Sequence, residues 1–109
     1  MGWNSRNNQT PEKEIESYLV SRITDLGGMC PKWTSPGTKG VPDRIVFMPE
    51  GLVVFVELKR EKGGRISPMQ KWREKQLSSL GQKVFFIHTR EQVDMLVSDL
   101  MRGQIPNEL

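Results

Sequence analysis

Asp43, Glu57 and Lys59 are the residues whose types and spacing could do chemistry together. Glu57 and Lys59 close an apolar run, "LVVFV" at 52–56, and Asp43 follows a proline fourteen residues before Glu57. Residues two apart on a strand share a face. Glu57, Lys59 and Phe55 should therefore point one way, and Val54, Val56 and Leu58 the other. If Pro49–Gly51 turns the chain into a hairpin, Asp43 reaches the same sheet edge. Two carboxylates and an ammonium then converge. Mg²⁺ suits such a set, because it prefers oxygen ligands, keeps several waters, and is commonly held by one or two carboxylates plus substrate phosphate. A cation there polarises a phosphoryl oxygen and lowers the pKa of a bound water. A lysine beside it can orient or deprotonate that water, or stabilise charge on the phosphate. A strand-end salt bridge is the plainer reading of Glu-x-Lys alone. The upstream Pro-Asp and the basic loop that follows favour a site.

A third acid comes from the first helix. At ~100° per residue, Glu12 lies roughly 50° from the centre of the apolar face, with Glu16 on the flank and Glu14 well away. Glu12 is expected to look toward the sheet, with Glu16 as its substitute. A first-turn carboxylate is also favoured by the helix dipole alone, and the two readings stand even.

The elements that position these residues follow from periodicity and punctuation. Thr10 as N-cap and Pro11 at N1 open a helix with Ile15, Tyr18, Leu19, Ile23 and Leu26 at helical spacing, stopped by Gly27-Gly28. An extended piece is expected over Met29 to Thr34, then a loop, "SPGTKGVPD". Strands are expected over Ile45 to Met48 and Leu52 to Lys59, joined by the turn. "REKGGRI" is a basic loop. Ser67, Pro68 and Gln70 form a capping box opening a helix whose buried side is Met69, Trp72, Leu77 and Leu80, ended by Gly81. A strand over Lys83 to His88 leads to a helix capped by Thr89 and Gln92. Its apolar face is Val93, Leu96, Val97, Leu100 and Met101, closed by Gly103 and Pro106. The order α-β-β-β-α-β-α, with a crossover helix, predicts an α/β fold: a mixed sheet flanked by helices. One domain over 11–103 is expected, with a polar tail at 1–10 and a second at 104–109.

The totals exclude several classes. With 109 residues there is room for one core. One cysteine, Cys30, and one histidine, His88, exclude an intrachain disulfide and a Cys/His metal cluster. No apolar run approaches a membrane span, and the N-terminus lacks a signal-peptide core. A reducing, cytoplasmic setting is expected. A net charge of +3 permits a polyanionic partner. Seven basic residues against two acids crowd Lys59 to Lys75, although a solvated face accounts for an isolated charge run.

"GVPDRIV", "VVFVELKR" and "GGRISPMQ" together resemble the VRR-NUC domain, the virus-type replication-repair nuclease family of the PD-(D/E)XK superfamily. "PEKEIESYLV…LGG" extends the resemblance from Glu12 to about Val97, in the short form of the phage and bacterial members. The resemblance implies Asp43 and Glu57 as metal ligands and Lys59 as the catalytic lysine. It implies a helix-one glutamate, carried to Glu12, and the backbone carbonyl of Leu58 as a further ligand. Gln70 matches the motif glutamine that touches water or phosphate, beside its capping role. Mg²⁺ or Mn²⁺ is the implied cofactor and DNA the implied partner.

Lys39, Arg44, Arg60, Lys62 and Arg65 are then expected on DNA phosphates, largely without sequence preference. No base-reading helix motif is visible, which favours recognition of DNA shape. Trp33 could stack on a base or pack. His88 and Trp72 read as structural. The resemblance thus implies a metal-dependent endonuclease selective for branched DNA, such as Holliday junctions or flaps. It would act in DNA repair as a homodimer, in a bacterium or a phage-infected cell. The alternatives are a restriction-type endonuclease or exonuclease on the same fold, or a non-catalytic DNA-binding module.

Overall fold

A computed structural model describes residues 10–109; the first nine residues of the expected N-terminal tail lie outside the described residues. The elements are α1 (Glu12–Asp25), β1 (Arg44–Phe47), a 3-10 turn (Pro49–Gly51), β2 (Val53–Leu58), α2 (Pro68–Ser79), β3 (Val84–Ile87) and α3 (Arg90–Met101). The sheet order is β1-β2-β3, with β1 antiparallel and β3 parallel to β2. The crossover through α2 produces the parallel pair, as the sequence predicts.

One face of the sheet is the core. Ile15, Leu19 and Ile23 of α1 meet Val46, Val54, Val56, Leu58 and Ile87 of the strands and Val93, Leu96, Val97 and Leu100 of α3, all essentially inaccessible to solvent. Burying each such side chain contributes about 1.5–3 kcal/mol. Arg22 and Tyr18 of α1 both bond Asp94 of α3 at the rim of this layer.

Several expectations are corrected. Pro11, not Thr10, is the N-cap of α1, and no side chain caps it. The Pro11 carbonyl accepts the Glu14 and Ile15 N–H groups, while the Thr10 N–H goes to Glu61 Oε1 at 3.3 Å. The extended piece at Met29 to Thr34 runs antiparallel to β1 but forms only isolated bridges, Met29 to Phe47 and Lys32 to Arg44. Pro31 lies between them; its carbonyl accepts the Ile45 N–H, but it has no N–H to return. Met101 is exposed, and α2 has no fully buried side chain, Leu77 being half-buried. The last six residues are not a free tail, because Ile105 and Leu109 pack on the core and the Lys83 ammonium bonds the Asn107 carbonyl.

Candidate active site

The hairpin register builds the site. Arg44 pairs with Val56, so one step back along β1 sets Asp43 opposite Glu57, and a second sets Pro42 opposite Leu58. Directly opposed residues share a face, with Cβ atoms ~5 Å apart. Met48 and Leu52 are a hydrogen-bonded pair, and counting back in twos makes Pro42 and Leu58 another. Pro42 has no N–H to give the Leu58 carbonyl. The Leu58 N–H in turn bonds Asp43 Oδ2 at 2.8 Å. The Pro-Asp dipeptide therefore ends the ladder. It fixes one carboxylate to the strand that carries the other, and it leaves the Leu58 carbonyl without its ladder donor.

Glu57 is 4 % exposed, the buried charged residue of the described core. Its Oε2 accepts from Gln70 Nε2 at 2.6 Å and faces Lys59 Nζ at 3.3 Å. Its Oε1 is buried with no hydrogen-bond partner. Burial first, and the neighbouring Asp43 charge second, push the Glu57 carboxyl up to about 7, against the pull of Lys59 and Gln70. Burial also raises Asp43; the Leu58 N–H opposes this and the Glu16 charge adds to it. An unpaired, buried carboxylate oxygen is costly. A buried carboxylate whose ionisation is further disfavoured by the Asp43 charge suits a cation placed between the two.

The set fits a hard divalent ion. Its donors are the Asp43 and Glu57 carboxylates and the Leu58 carbonyl, all oxygen. Among the described residues no group of three or more His, Cys, Asp or Glu could enclose a metal. The site is thus of the sparse kind that Mg²⁺ completes with water and substrate oxygen.

The helix acid drawn toward this edge is Glu16, whose charge reaches Asp43. Glu12 is exposed in the first turn and makes no hydrogen bond or ion pair among the described residues. The wheel fixes an azimuth but not a height along the helix, and Glu12 lies one turn too far toward the N-terminus. Glu16 pairs with Arg44 Nε at 3.0 Å. The Arg44 guanidinium also donates to the Cys30 carbonyl at 2.7 Å and its side chain is only 16 % exposed. Arg44 is therefore turned inward, away from the surface where phosphates would be met.

Gln70 holds both of its expected positions with the two ends of one amide. Its Oε1 accepts the Ser67 N–H at 3.0 Å, Ser67 Oγ accepts the Gln70 N–H at 3.1 Å, and its Nε2 is the donor to Glu57. The capping box of α2 is thereby tied to the carboxylate. Lys39, Arg60, Lys62 and Arg65 are exposed around the site. Gly64 lets the loop of Arg60, Lys62 and Arg65 fold back on Lys59: a Cβ there would meet the Arg60 carbonyl at 2.8 Å and Lys59 Cβ at 3.0 Å.

Of the two described tryptophans, Trp33 takes the packing one of its two readings and Trp72 departs from its expected structural place. Trp33 packs on Phe55 with ring centroids 5.4 Å apart, whereas Trp72 is 55 % exposed. The His88 backbone N–H donates to Gln92 Oε1 at 2.6 Å. Sequence reasoning missed the Arg44–Glu16 pair. Its one signal was an arginine at a strand start, opposite a helix flank that carries an acid.

No protein-family model matches the chain. A protein named "Putative nuclease p44", from Acyrthosiphon pisum secondary endosymbiont phage 1, is 38% identical over 85 residues, covering 78% of this chain and 90% of that protein. A solved structure described as "VRR_NUC domain" superposes with a TM-score of 0.75 at 31% identity, covering 80% of this chain and 94% of that one.

Proposed function

The chain belongs to the VRR-NUC domain family, and from that membership we propose that it is a divalent-metal-dependent nuclease hydrolysing DNA phosphodiester bonds. The observation that carries the reading is Glu57. A buried carboxylate with one oxygen unsatisfied, opposite Asp43 and beside Lys59, is a poor structural feature and a good metal ligand.

Asp43, Glu57 and the Leu58 carbonyl would hold Mg²⁺ or Mn²⁺. The bound ion supplies positive charge to the phosphate and acidity to a water. Lys59, 14 % exposed along its side chain, donates toward the attacking water or a phosphate oxygen. Gln70 keeps Glu57 in one rotamer. Glu16 replaces Glu12 as the helix acid, with Arg44 orienting it. Lys39, Arg60, Lys62 and Arg65 bind the DNA backbone.

No helix among the described residues is long and apolar enough to cross a membrane. We extend the reading to a structure-selective endonuclease on branched DNA, Holliday junctions or flaps. It would act as a homodimer, since a four-way junction needs two cuts, in the cytoplasm of a bacterium or a phage-infected host, where it serves DNA repair.

One cleavage panel tests this: four-way junction, flap, splayed arm, linear duplex and single strand, each with Mg²⁺, Mn²⁺ or EDTA. Metal-dependent cutting of branched DNA is expected. Asp43→Ala and Lys59→Ala should abolish it with the circular dichroism spectrum intact; full activity in either refutes the site. Site-specific cutting of linear duplex would point to a restriction-type enzyme. Binding without cutting in either metal would leave only a DNA-binding module.

A further inference from the structure

Of the four residues expected to form the buried side of α2, Leu77 is half-buried, while Met69, Trp72 and Leu80 face solvent at 45 %, 55 % and 68 % exposure. The last three fall on one side of α2, at spacings of three and eight residues. The stripe begins one residue before Gln70, whose amide touches Glu57, and turns away from it: at ~100° per residue Trp72 lies roughly 160° around α2 from Gln70. Its other border is the loop leading to Asp43. There Gly40 lies so close to Met69 that a Cβ would come within 2.7 Å of both its Cγ and its carbonyl oxygen.

Trp72 is held in place. The Arg73 guanidinium carbon lies 4.8 Å from the centroid of its ring, and that guanidinium is itself fixed by the Lys39 carbonyl at 2.9 Å and Gln76 Oε1 at 2.7 Å. Lys71 and Lys75 flank the stripe and are exposed. α2 thus carries three basic residues (Lys71, Arg73, Lys75) against one acid, Glu74. A second copy of this chain meeting the stripe across a two-fold axis would bring those cations against their own images, which is unfavourable. A polyanion with an exposed flat apolar group matches both the charge and the ring. Nucleic acid with an unstacked base is that ligand.

We propose that Trp72, backed by Arg73 and bordered by Met69, is a stacking platform for an unpaired base of the bound nucleic acid, on the side of α2 turned away from Gln70. This rests on the nuclease reading and deepens it. It gives preference for branched or distorted DNA a physical source, since fully paired duplex offers no free base face.

The test measures binding by fluorescence anisotropy in EDTA, so that cutting plays no part. It uses the full chain and two labelled DNAs of equal charge, a splayed arm and a fully paired duplex. Trp72→Ala should weaken the splayed arm roughly tenfold and leave duplex affinity unchanged, while Trp72→Phe keeps most of the affinity. Because Trp72 lies on the surface, both variants should fold, which circular dichroism checks. Equal binding of both DNAs by Trp72→Ala and wild type overturns the platform. So does a wild-type dimer that Trp72→Ala splits with DNA affinity retained, or a wild type that binds neither DNA. Failure of the nuclease reading appears elsewhere, as a wild type that binds the splayed arm through Trp72 yet cuts nothing with Mg²⁺ or Mn²⁺.

Discussion

Glu57 shows what a single buried charge costs and what it enables. Its Oε1 has neither hydrogen bond nor solvent, and Asp43 adds repulsion. Without metal, Glu57→Gln should therefore raise Tm near neutral pH by a few degrees, the scale of ~1 kcal/mol in a domain of this size. Mn²⁺ should raise the Tm of the wild type and not that of this variant, measured by thermal denaturation with and without metal. A variant that is less stable, or still metal-responsive, would overturn that assignment. Cys30 makes a second residue-scale case. Burial raises its thiol to about 11 from 9.0. A raised folded pKa favours the protonated folded thiol, so its contribution to stability is full below pH 9 and fades as pH rises toward 11. At pH 8 iodoacetamide should label Cys30 slowly in the native protein and rapidly in urea; equal rates would show that the thiol is not buried.

At the scale of elements, the turn and the capping box set the geometry. Glu50 takes a left-handed conformation, φ 68°, beside Gly51 at φ 88°. Asparagine tolerates this region better than a long side chain. Glu50→Asn should stabilise the hairpin by roughly 0.5–1 kcal/mol, seen as a higher urea midpoint at unchanged slope; no shift would mean the turn is unstrained. Ser67→Ala removes the cap of α2 and should cost ~1 kcal/mol. It should also slow cleavage, because the capping box is what steadies Gln70 against Glu57. Loss of stability with full cleavage would separate the two roles. The capping boxes and the hairpin were legible because their signals are local. What was not legible depended on neighbours. The wheel of α1 could not show how far along its axis the sheet reaches, and so chose Glu12 over Glu16. The apolar residues of α2 looked like a buried side because amphipathic spacing does not reveal whether anything lies opposite. The Met29 to Thr34 piece was seen as extended, but not that Pro31 would break its pairing with β1.

For the whole molecule, the core joins distant parts of the chain, whereas the two site carboxylates come from one hairpin. The Asp43–Leu58 bond closes a separation of 15 residues, whereas the Tyr18–Asp94 bond between α1 and α3 spans 76. Short loops close at less entropic cost, and hairpins form in ~1–10 μs. The Val46–Val54 cross-strand pair should therefore form early, giving Val54→Ala a high φ-value and Leu96→Ala a low one in stopped-flow folding. The reverse pattern would place the α1–α3 layer first. The Pro42-Asp43 end of the hairpin then acquires a role in time. The two carboxylates are brought together before the core exists to hold them there, at the stage when their repulsion is least opposed. An ion that bridges them at that stage would speed folding as well as slow unfolding, so the proposed metal would also set a nascent chain's rate of reaching the native state.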